Sequence, residues 1–361
     1  MAAPKGAARV SVVVIEGDDA APEAVRPSVE ILRLLAPELD LLRPPTGDEA
    51  IARYGSGFPD EARRAIDASD ATLFGATSGK SAGAILYLRW GKQTYANVRP
   101  IRWLPGFASP LRHPRGIDFV IVRENLEDLY LGLEGELSDL PALNLTSRFT
   151  GRPLDTTQPG RFALKVITEE GSRRAARFAC RLARRRRDQG RPGKLTVAAK
   201  HNVLAADRLF CRIAEEVCRG EFPQLTYEQF IADDFARRII ASPQELDVVL
   251  LPNLYGDILS DEAAGVIGGL GLCPSGCYGD SYAYFEPVHG SAPDIAGRGI
   301  INPTATLLSA AMMLDYLDLE EAARRLEAAV AAVYADGRDL TPDQGGSAGT
   351  IQFCEAVGAR L

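Results

Sequence analysis

Several common signals are scarce or missing in this chain, and each absence excludes a class of protein. Only three histidines occur, which leaves few candidates for the base of a Ser-His-Asp triad. The first apolar run, VSVVVI, leads into EGDDAAPE instead of the G-x-G-x-x-G of a Rossmann dinucleotide site, and no Walker phosphate loop is present. Of six scattered cysteines only Cys273 and Cys277 are close together, so no second pair completes a zinc site.

Long apolar runs and a strong positive charge are also absent. No stretch approaches the ~20 apolar residues of a membrane-spanning helix, and the N-terminal apolar run is too short for a signal peptide. The formal net charge is −7, which argues against nonspecific binding to nucleic acid. We therefore expect a cytoplasmic protein with free thiols and with neither a membrane nor a nucleic-acid partner.

Strand-like and helix-like runs alternate along the 361 residues. VSVVVI precedes EAVRPSVEILRLLA, ATLFGA follows DEARRAIDAS, LTVAAK precedes DRLFCRIAEEV, and DVVLLPN precedes DILSDEAAGVIGGL. This alternation is typical of an α/β protein with a largely parallel sheet. The long, polar and proline-bearing stretch 134–162 interrupts it, which predicts a surface loop or an arm that pairs with another chain.

Two aspartates, Asp257 and Asp261, stand four residues apart in NLYGDILSDEA, after the predicted strand DVVLL. This spacing directs both side chains to one face of a helix. Two carboxylates with open coordination positions suit Mg²⁺ or Mn²⁺. The residues alone leave a second interpretation open, in which both aspartates only complement the positive end of a helix.

Three arginines and two possible proton carriers occur near predicted strand ends. Arg89 and Arg99 lie in YLRWGKQTYANVRP, and Arg123 ends the strand in VIVREN. Ligands of α/β proteins bind at strand ends, where several guanidinium groups could clamp carboxylates. Tyr130 and Lys200 are able to transfer protons in a closed site. Taken singly, each of these residues is equally compatible with an ordinary surface or half-buried side chain.

Together, these stretches resemble one family over nearly the whole chain: the metal-dependent β-decarboxylating dehydrogenases of isocitrate, homoisocitrate, 3-isopropylmalate and D-malate or tartrate. The most specific parts are YANVRP, VREN with Tyr130, NLYGDILSDEA and FEPVHGSAPDIAGRGIINPTATLLSAAMML. The resemblance implies a two-domain α/β fold with a large mixed, mostly parallel sheet that is not a Rossmann fold. It predicts a cofactor-binding domain of residues 1–97 plus 268–361 and a central domain of residues 98–267. The central domain would carry the dimer interface and the arm at about 134–162.

The resemblance also implies a homodimer in which each site takes residues from both subunits. Asp257 and Asp261 match two ligands of Mg²⁺ or Mn²⁺, and Asp233, contributed by the other subunit, matches the third. Lys200 matches a group that reaches across the interface and assists removal of the substrate hydroxyl proton. Tyr130 matches the acid that protonates C3 after CO₂ leaves.

Substrate and cofactor contacts follow from the same resemblance. Arg89, Arg99 and Arg123 match the clamp on the carboxylates of a malate-type 2-hydroxy acid. In HGSAPDIAGRGIINP, Asp294 and Ile295 stand where NADP-dependent members often carry Lys and Tyr. A carboxylate accepts hydrogen bonds from a ribose 2′-OH and repels a 2′-phosphate, which predicts NAD. The residues expected to line the adenine pocket are His289, Gly290, Ser291, Ala292 and Asn302.

The nature of the C3 substituent is less tightly specified. Ile85 and Leu86 resemble the apolar pair of isopropylmalate and malate-type enzymes, which favours 3-isopropylmalate-like or small-substituent malates. Lys80 lies upstream and could reach an anionic substituent, so isocitrate, homoisocitrate or a related tricarboxylate stays an alternative. A non-catalytic regulatory subunit is the second alternative, although the chain retains every candidate catalytic side chain.

The chain departs from the family pattern in two loops near these residues. GDDAAPE replaces the usual GDGIGPE, so Asp19 and Ala21 stand at glycine positions. A side chain at either position costs free energy if the backbone there needs a positive φ. ENLEDLY replaces the usual ENTEGLY, so Leu126 replaces a hydroxyl.

Overall fold

A computed structural model describes residues 10–140 and 143–361. Its main sheet contains ten strands. These are β1 (Ser11–Ile15), β2 (Asp40–Leu42), β3 (Ala71–Phe74), β4 (Ala96–Arg102), β5 (Asp118–Glu124), β8 (Lys194–Ala199), β9 (Thr226–Ile231), β10 (Val248–Leu251), β11 (Pro274–Tyr278) and β12 (Ala283–Pro287). Two further strands, β6 (Glu134–Glu136) and β7 (Arg161–Ala163), pair with each other in a separate ribbon.

Helices cover both faces of the main sheet. They are α1 (Ala21–Leu35), α2 (Gly47–Tyr54), α3 (Asp60–Ala68), α4 (Ala82–Leu86), α5 (Glu169–Asp188), α6 (Ala205–Glu221), α7 (Ala232–Ala241), α8 (Asn253–Ile267), α9 (Thr304–Tyr316), α10 (Glu320–Asp336) and α11 (Thr350–Gly358). A π-helical turn, Tyr87–Gly91, continues α4. Within the described ranges, no helix combines the length and the apolar character needed to cross a membrane.

The order across the sheet is β2–β1–β3–β12–β11–β4–β5–β10–β8–β9. The pairings β12–β11, β11–β4 and β4–β5 are antiparallel, and all other pairings in this sheet are parallel. The predicted α/β fold with a mixed, mostly parallel sheet is therefore confirmed. One sheet runs through the whole molecule, and the division into two domains stays a prediction.

Two large apolar cores lie against this sheet. One is built around β1, β3 and the C-terminal helices, with Phe285, Leu314 and Phe353 fully buried. The other lies between β8, α5 and α6, where Phe210 and Val197 are buried. Because strands inside a parallel sheet are covered on both faces, their sequences read as continuous apolar runs, as VVLL in β10 does.

The apolar runs of the sequence became strands at the expected places, with VSVVVI forming β1 and DVVLL forming β10. The interrupting stretch 134–162 begins with β6 and runs to β7, and an isolated bridge between Thr146 and Pro153 folds its middle back on itself. Leu143, Leu145 and Phe149 in this stretch are exposed. Its pairing with another chain stays a prediction.

Candidate active site

The predicted arginines and aspartates meet beside the C-terminal ends of β5 and β10. These strands are parallel and adjacent, with Leu251 of β10 opposite Arg123 of β5. Helix α8 begins at Asn253, directly after β10, so its first turns lie over the end of β5. Strand β4 runs antiparallel to β5 and places Asn97 opposite Arg123. Sheet topology thereby brings together residues that are distant in sequence.

One face of α8 is polar and holds Arg123. The Arg123 Nε donates to Asn253 Oδ1 at 2.8 Å, and its Nη1 donates to Asp257 Oδ1. The Tyr130 hydroxyl donates to Asp257 Oδ2, and the Arg123 guanidinium carbon lies 4.9 Å from the centre of the Tyr130 ring. Arg123 is only 1% exposed, so Asp257 supplies the negative charge that a buried guanidinium needs.

Arg99 lies against the next turn of α8. Its Nη1 donates to Ser260 Oγ at 2.5 Å and to Asp261 Oδ1 at 3.3 Å. Its Nη2 is 3.4 Å from Asp257 Oδ1, and its Nε donates to Asn97 Oδ1 at 3.2 Å. Both aspartates therefore face one arginine, as their four-residue spacing predicted.

The surroundings separate the pKa values of the two aspartates. Burial acts to raise the pKa of Asp257, but the charge of Arg123 and the hydrogen bond from Tyr130 lower it overall. Burial raises the pKa of Asp261, because Arg99 only partly offsets the loss of water. Burial likewise raises the pKa of Glu286, on which all three arginines act. The cluster thus holds partly desolvated carboxylates, whose charge a cation would stabilise.

Two buried arginine donors near this cluster have no partner among the described residues. Within the same ranges, Arg123 Nη2 and Arg89 Nε are buried and donate no hydrogen bond to any acceptor. Arg89 lies in the π-helical turn, with its guanidinium carbon 5.4 Å from the Trp90 ring centre. A buried unpaired guanidinium N–H is costly, so these donors favour a bound carboxylate.

Lys200 and Asp233 lie apart from that cluster. They form an ion pair with each other at the ends of β8 and β9, and the Asp233 side chain is 69% exposed. In the part of the chain that the structure describes, neither one bonds to Arg99, Arg123 or Asp257. The same part contains no group of three His, Cys, Asp or Glu side chains placed to hold a metal ion.

The residues expected to face the C3 substituent have different surroundings. Leu86 ends α4 with 54% of its surface exposed, whereas Ile85 packs against an apolar cluster that contains Leu88. Lys80 Nζ donates to Asp48 Oδ2 at 2.6 Å, so its charge is already paired. Of these residues, Leu86 presents the open apolar surface.

The predicted cofactor segment folds against the start of α1. Ser291 Oγ donates to Asp19 Oδ2 at 2.7 Å, and Asp19 adopts a positive φ of 53°. Ala21 is helical, so of the two replaced glycines only position 19 uses the left-handed region. The hydrogen bond with Ser291 helps to offset the cost of that conformation. Ala292 also has a positive φ, of 50°.

Other side chains of this segment differ in their exposure and in their hydrogen-bond and packing partners. His289 Nδ1 lies 2.8 Å from the Gly290 carbonyl, and its Nε2 is buried without a partner among the described residues. Asp294 is exposed, while Ile295 packs on Ala20 and Ile301. The Asn302 amide donates to Tyr334 and Asp343, so this side chain braces the segment.

Comparison with known proteins gives the family. Residues 11–358 match the model of the isocitrate/isopropylmalate dehydrogenase family. The chain belongs to that family. A 3-isopropylmalate/3-methylmalate dehydrogenase of Methanocaldococcus jannaschii is 42% identical over 97% of this chain and 98% of its own length. An isocitrate/homoisocitrate dehydrogenase of Thermus thermophilus is 42% identical over 96% and 97% of the two chains.

The fold agrees with a solved structure of an isocitrate/isopropylmalate dehydrogenase family member. The isocitrate dehydrogenase of Methylococcus capsulatus superposes with a TM-score of 0.84 at 34% identity, covering 97% of this chain and 99% of that one. The predicted family is therefore confirmed.

Sequence reasoning missed several polar residues of the candidate site. Asn253 and Ser260 share the polar face of α8 with the two aspartates, and Asn97 lies two residues before Arg99 on the same side of β4. Their spacings were a usable signal, since strand residues two apart and helix residues three or four apart share a face. Glu286, which lies within β12, gave no such signal.

Proposed function

We propose that this chain is an NAD-dependent and Mg²⁺- or Mn²⁺-dependent dehydrogenase that oxidatively decarboxylates a 3-substituted (2R)-malate. The observation that carries the proposal is the pair of aspartates beside the end of β5, together with two buried arginine donors that have no partner among the described residues. An anionic 2-hydroxy acid offers carboxylates to the arginines, and its hydroxyl oxygen suits a hard cation held by the aspartates.

The residues fit a divalent cation. Asp257 and Asp261 contribute hard oxygen ligands on one helix face, and the raised pKa of Asp261 marks a carboxylate that lacks enough positive charge nearby. When bound, such an ion supplies Lewis-acid polarisation of the substrate hydroxyl and carbonyl oxygens. Asp233 forms no three-carboxylate group with this pair among the described residues of its own chain, and it would complete the ligand set from the partner subunit of a homodimer.

The remaining steps use side chains of this protein. Arg89, Arg99 and Arg123 would hold the carboxylates of the malate moiety and fix its orientation. Lys200 of a neighbouring chain would take up the hydroxyl proton during oxidation. Burial and the hydrogen bond to Asp257 raise the pKa of Tyr130, which keeps the phenol protonated and suited to donate a proton to C3.

The cofactor segment fits a dinucleotide whose adenosine ribose carries no 2′-phosphate. The Nε2 of His289 is buried and has no partner within the described ranges, so it offers a polar contact for an adenine ring. The exposed carboxylate of Asp294 would accept a ribose hydroxyl and repel a phosphate at the same position. Bound NAD would supply the hydride acceptor for oxidation at C2. We therefore propose NAD rather than NADP.

For the substrate, the exposed Leu86 favours an apolar or small C3 substituent. A buried carboxylate facing this leucine would lose water without gaining a partner. A tricarboxylate of the isocitrate or homoisocitrate type is the second candidate, because the Thermus thermophilus relative with that activity in its name is as similar as the Methanocaldococcus one.

Formation of NADH tests the proposal directly. The purified protein is assayed with 3-isopropylmalate, D-malate, isocitrate and homoisocitrate, with NAD or NADP, and with Mg²⁺, Mn²⁺ or excess chelator. We expect metal-dependent reduction of NAD with one of the first two acids. Preference for a tricarboxylate supports the second candidate, and no turnover of any acid supports a regulatory subunit.

Mixing inactive variants tests the proposed homodimer. Lys200→Ala and Asp257→Asn chains should each be inactive, and mixed dimers should recover up to half the activity of a wild-type dimer. Recovery follows because one site of each mixed dimer receives both intact residues. Absence of recovery, with mixed dimers isolated on two affinity tags, would place Lys200 in the site of its own chain.

A further inference from the structure

A buried set of ionic contacts next to the candidate site is not explained by the residue roles given above. Lys165 Nζ lies 2.8 Å from Asp207 Oδ1 and 3.1 Å from Asp128 Oδ1. Both carboxylate side chains are completely buried, and the lysine side chain is 15% exposed. Burying two carboxylates around one ammonium group is costly unless their remaining oxygens are also bonded.

The remaining oxygen of each carboxylate bonds to a different part of the site. Asp207 Oδ2 accepts the backbone N–H of Lys200 at 2.9 Å. Asp128 Oδ2 accepts the backbone N–H of Leu254 at 3.1 Å, in the first turn of α8. The Lys165 side chain therefore connects the end of β8, which presents Lys200, to the start of the helix that presents Asp257.

Asp128 also fixes the loop that carries Tyr130. Its backbone has φ 71° and ψ −149°, a conformation found almost only for glycine. Its Oδ1 accepts the N–H of Leu129 at 2.9 Å, and its own N–H donates to the Val166 carbonyl at 2.8 Å. A non-glycine residue persists in such a conformation only where its surroundings hold it. Here those surroundings include Lys165.

We propose that Lys165 is a positioning residue that aligns both parts of the site, namely Asp257 and Tyr130 on one side and Lys200 on the other. The inference rests on the proposed function, in which a chain keeps Asp257 for its own site and provides Lys200 to its partner. A single side chain thereby supports two active sites of the dimer.

The first test measures Mn²⁺ affinity by electron paramagnetic resonance, which needs no turnover. Lys165→Met should weaken Mn²⁺ binding about 10- to 100-fold, the range typical of residues that orient metal ligands. Lys194→Met is the matched control, because Lys194 is 18% exposed, pairs with Glu228 at 2.9 Å and lies at the opposite end of β8. The control should bind Mn²⁺ like the wild type.

The second test separates the two parts of the site with mixed dimers. In a Lys165→Met/Lys200→Ala dimer, the surviving site receives Lys200 from the chain that lacks Lys165. In a Lys165→Met/Asp257→Asn dimer, the surviving site uses Asp257 and Tyr130 of the chain that lacks Lys165. We expect kcat/KM about 10-fold or more below that of the matching wild-type/variant dimers in both cases.

Normal Mn²⁺ affinity in Lys165→Met, or a defect in only one of the mixed dimers, would overturn this inference. If Lys165→Met does not fold, Asp207→Asn takes its place, because it removes the negative charge but keeps an oxygen for the Lys200 N–H. The wild-type protein checks the proposed function separately: absence of Mn²⁺ binding or of activity in the wild type contradicts that function and not the role of Lys165.

Discussion

Replacing Asp257 by asparagine should do two separable things to this protein, since the aspartate serves both as a candidate metal ligand and as the counter-charge of buried arginines. The substitution keeps the volume of the side chain and removes its charge. Arg123 and Arg99, which are 1% and 6% exposed, then lose their nearest shared carboxylate. Removing one partner of a buried ion pair costs roughly 3–5 kcal/mol.

Solvent reduces that cost, because the Asp257 side chain is 32% exposed. We therefore expect Asp257→Asn to lower the free energy of unfolding by roughly 2–3 kcal/mol in the presence of a chelator. Asp261→Asn is the matched control. Its side chain is 50% exposed and its ion pair with Arg99 is 3.3 Å long, so it should cost at most about 1 kcal/mol.

Added Mn²⁺ should stabilise the wild type far more than either variant, because each variant lacks one candidate metal ligand. At about 100 times its dissociation constant, a bound ion stabilises the wild type by ~2.7 kcal/mol, and both variants should lose most of this gain. The assay is urea unfolding at one fixed protein concentration, with chelator and with Mn²⁺. Equal destabilisation of both variants in chelator would refute the counter-charge argument. A wild type that gains no stability from Mn²⁺ would refute the metal site.

Three further predictions address pH, cofactor and substrate. Burial raises the pKa of Glu124 from 4.5 to about 7, so the folded state favours the protonated carboxyl. The free energy of unfolding should therefore fall as the pH rises between these two values, by on the order of 3 kcal/mol. Glu124→Gln should lack this slope in urea unfolding at about pH 5 and about pH 8, and equal slopes would contradict the argument. The wild type should prefer NAD over NADP. Asp294→Lys should raise kcat/KM for NADP about tenfold or more, because the lysine pairs with the 2′-phosphate. Equal kcat/KM values of the wild type for the two cofactors would contradict the role of Asp294. Leu86→Arg should shift kcat/KM from 3-isopropylmalate toward homoisocitrate, because a guanidinium pairs with a distal carboxylate, and an unchanged ratio would show that another residue reads the substituent.

The sequence alone was sufficient for the elements whose signal is local. Continuous apolar runs predicted β1 and β10, and the four-residue spacing of Asp257 and Asp261 predicted a shared helix face. A long, specific resemblance predicted the family, which the comparison confirmed. These inferences succeeded because each depends on residues that are neighbours in the chain or on a motif too long to arise by chance.

Contacts between residues that are distant in sequence were revealed only by the tertiary structure. The insertion of the antiparallel pair β11 and β12 between β3 and β4 arises when the sheet assembles, and no periodicity in the sequence predicts it. The same is true of Lys165, which meets Asp128 and Asp207 only after β5, α6 and α8 have packed. A sequence pattern predicts on which face of its own helix or strand a side chain lies. The residues that this side chain contacts on other elements depend on how the helices and strands pack.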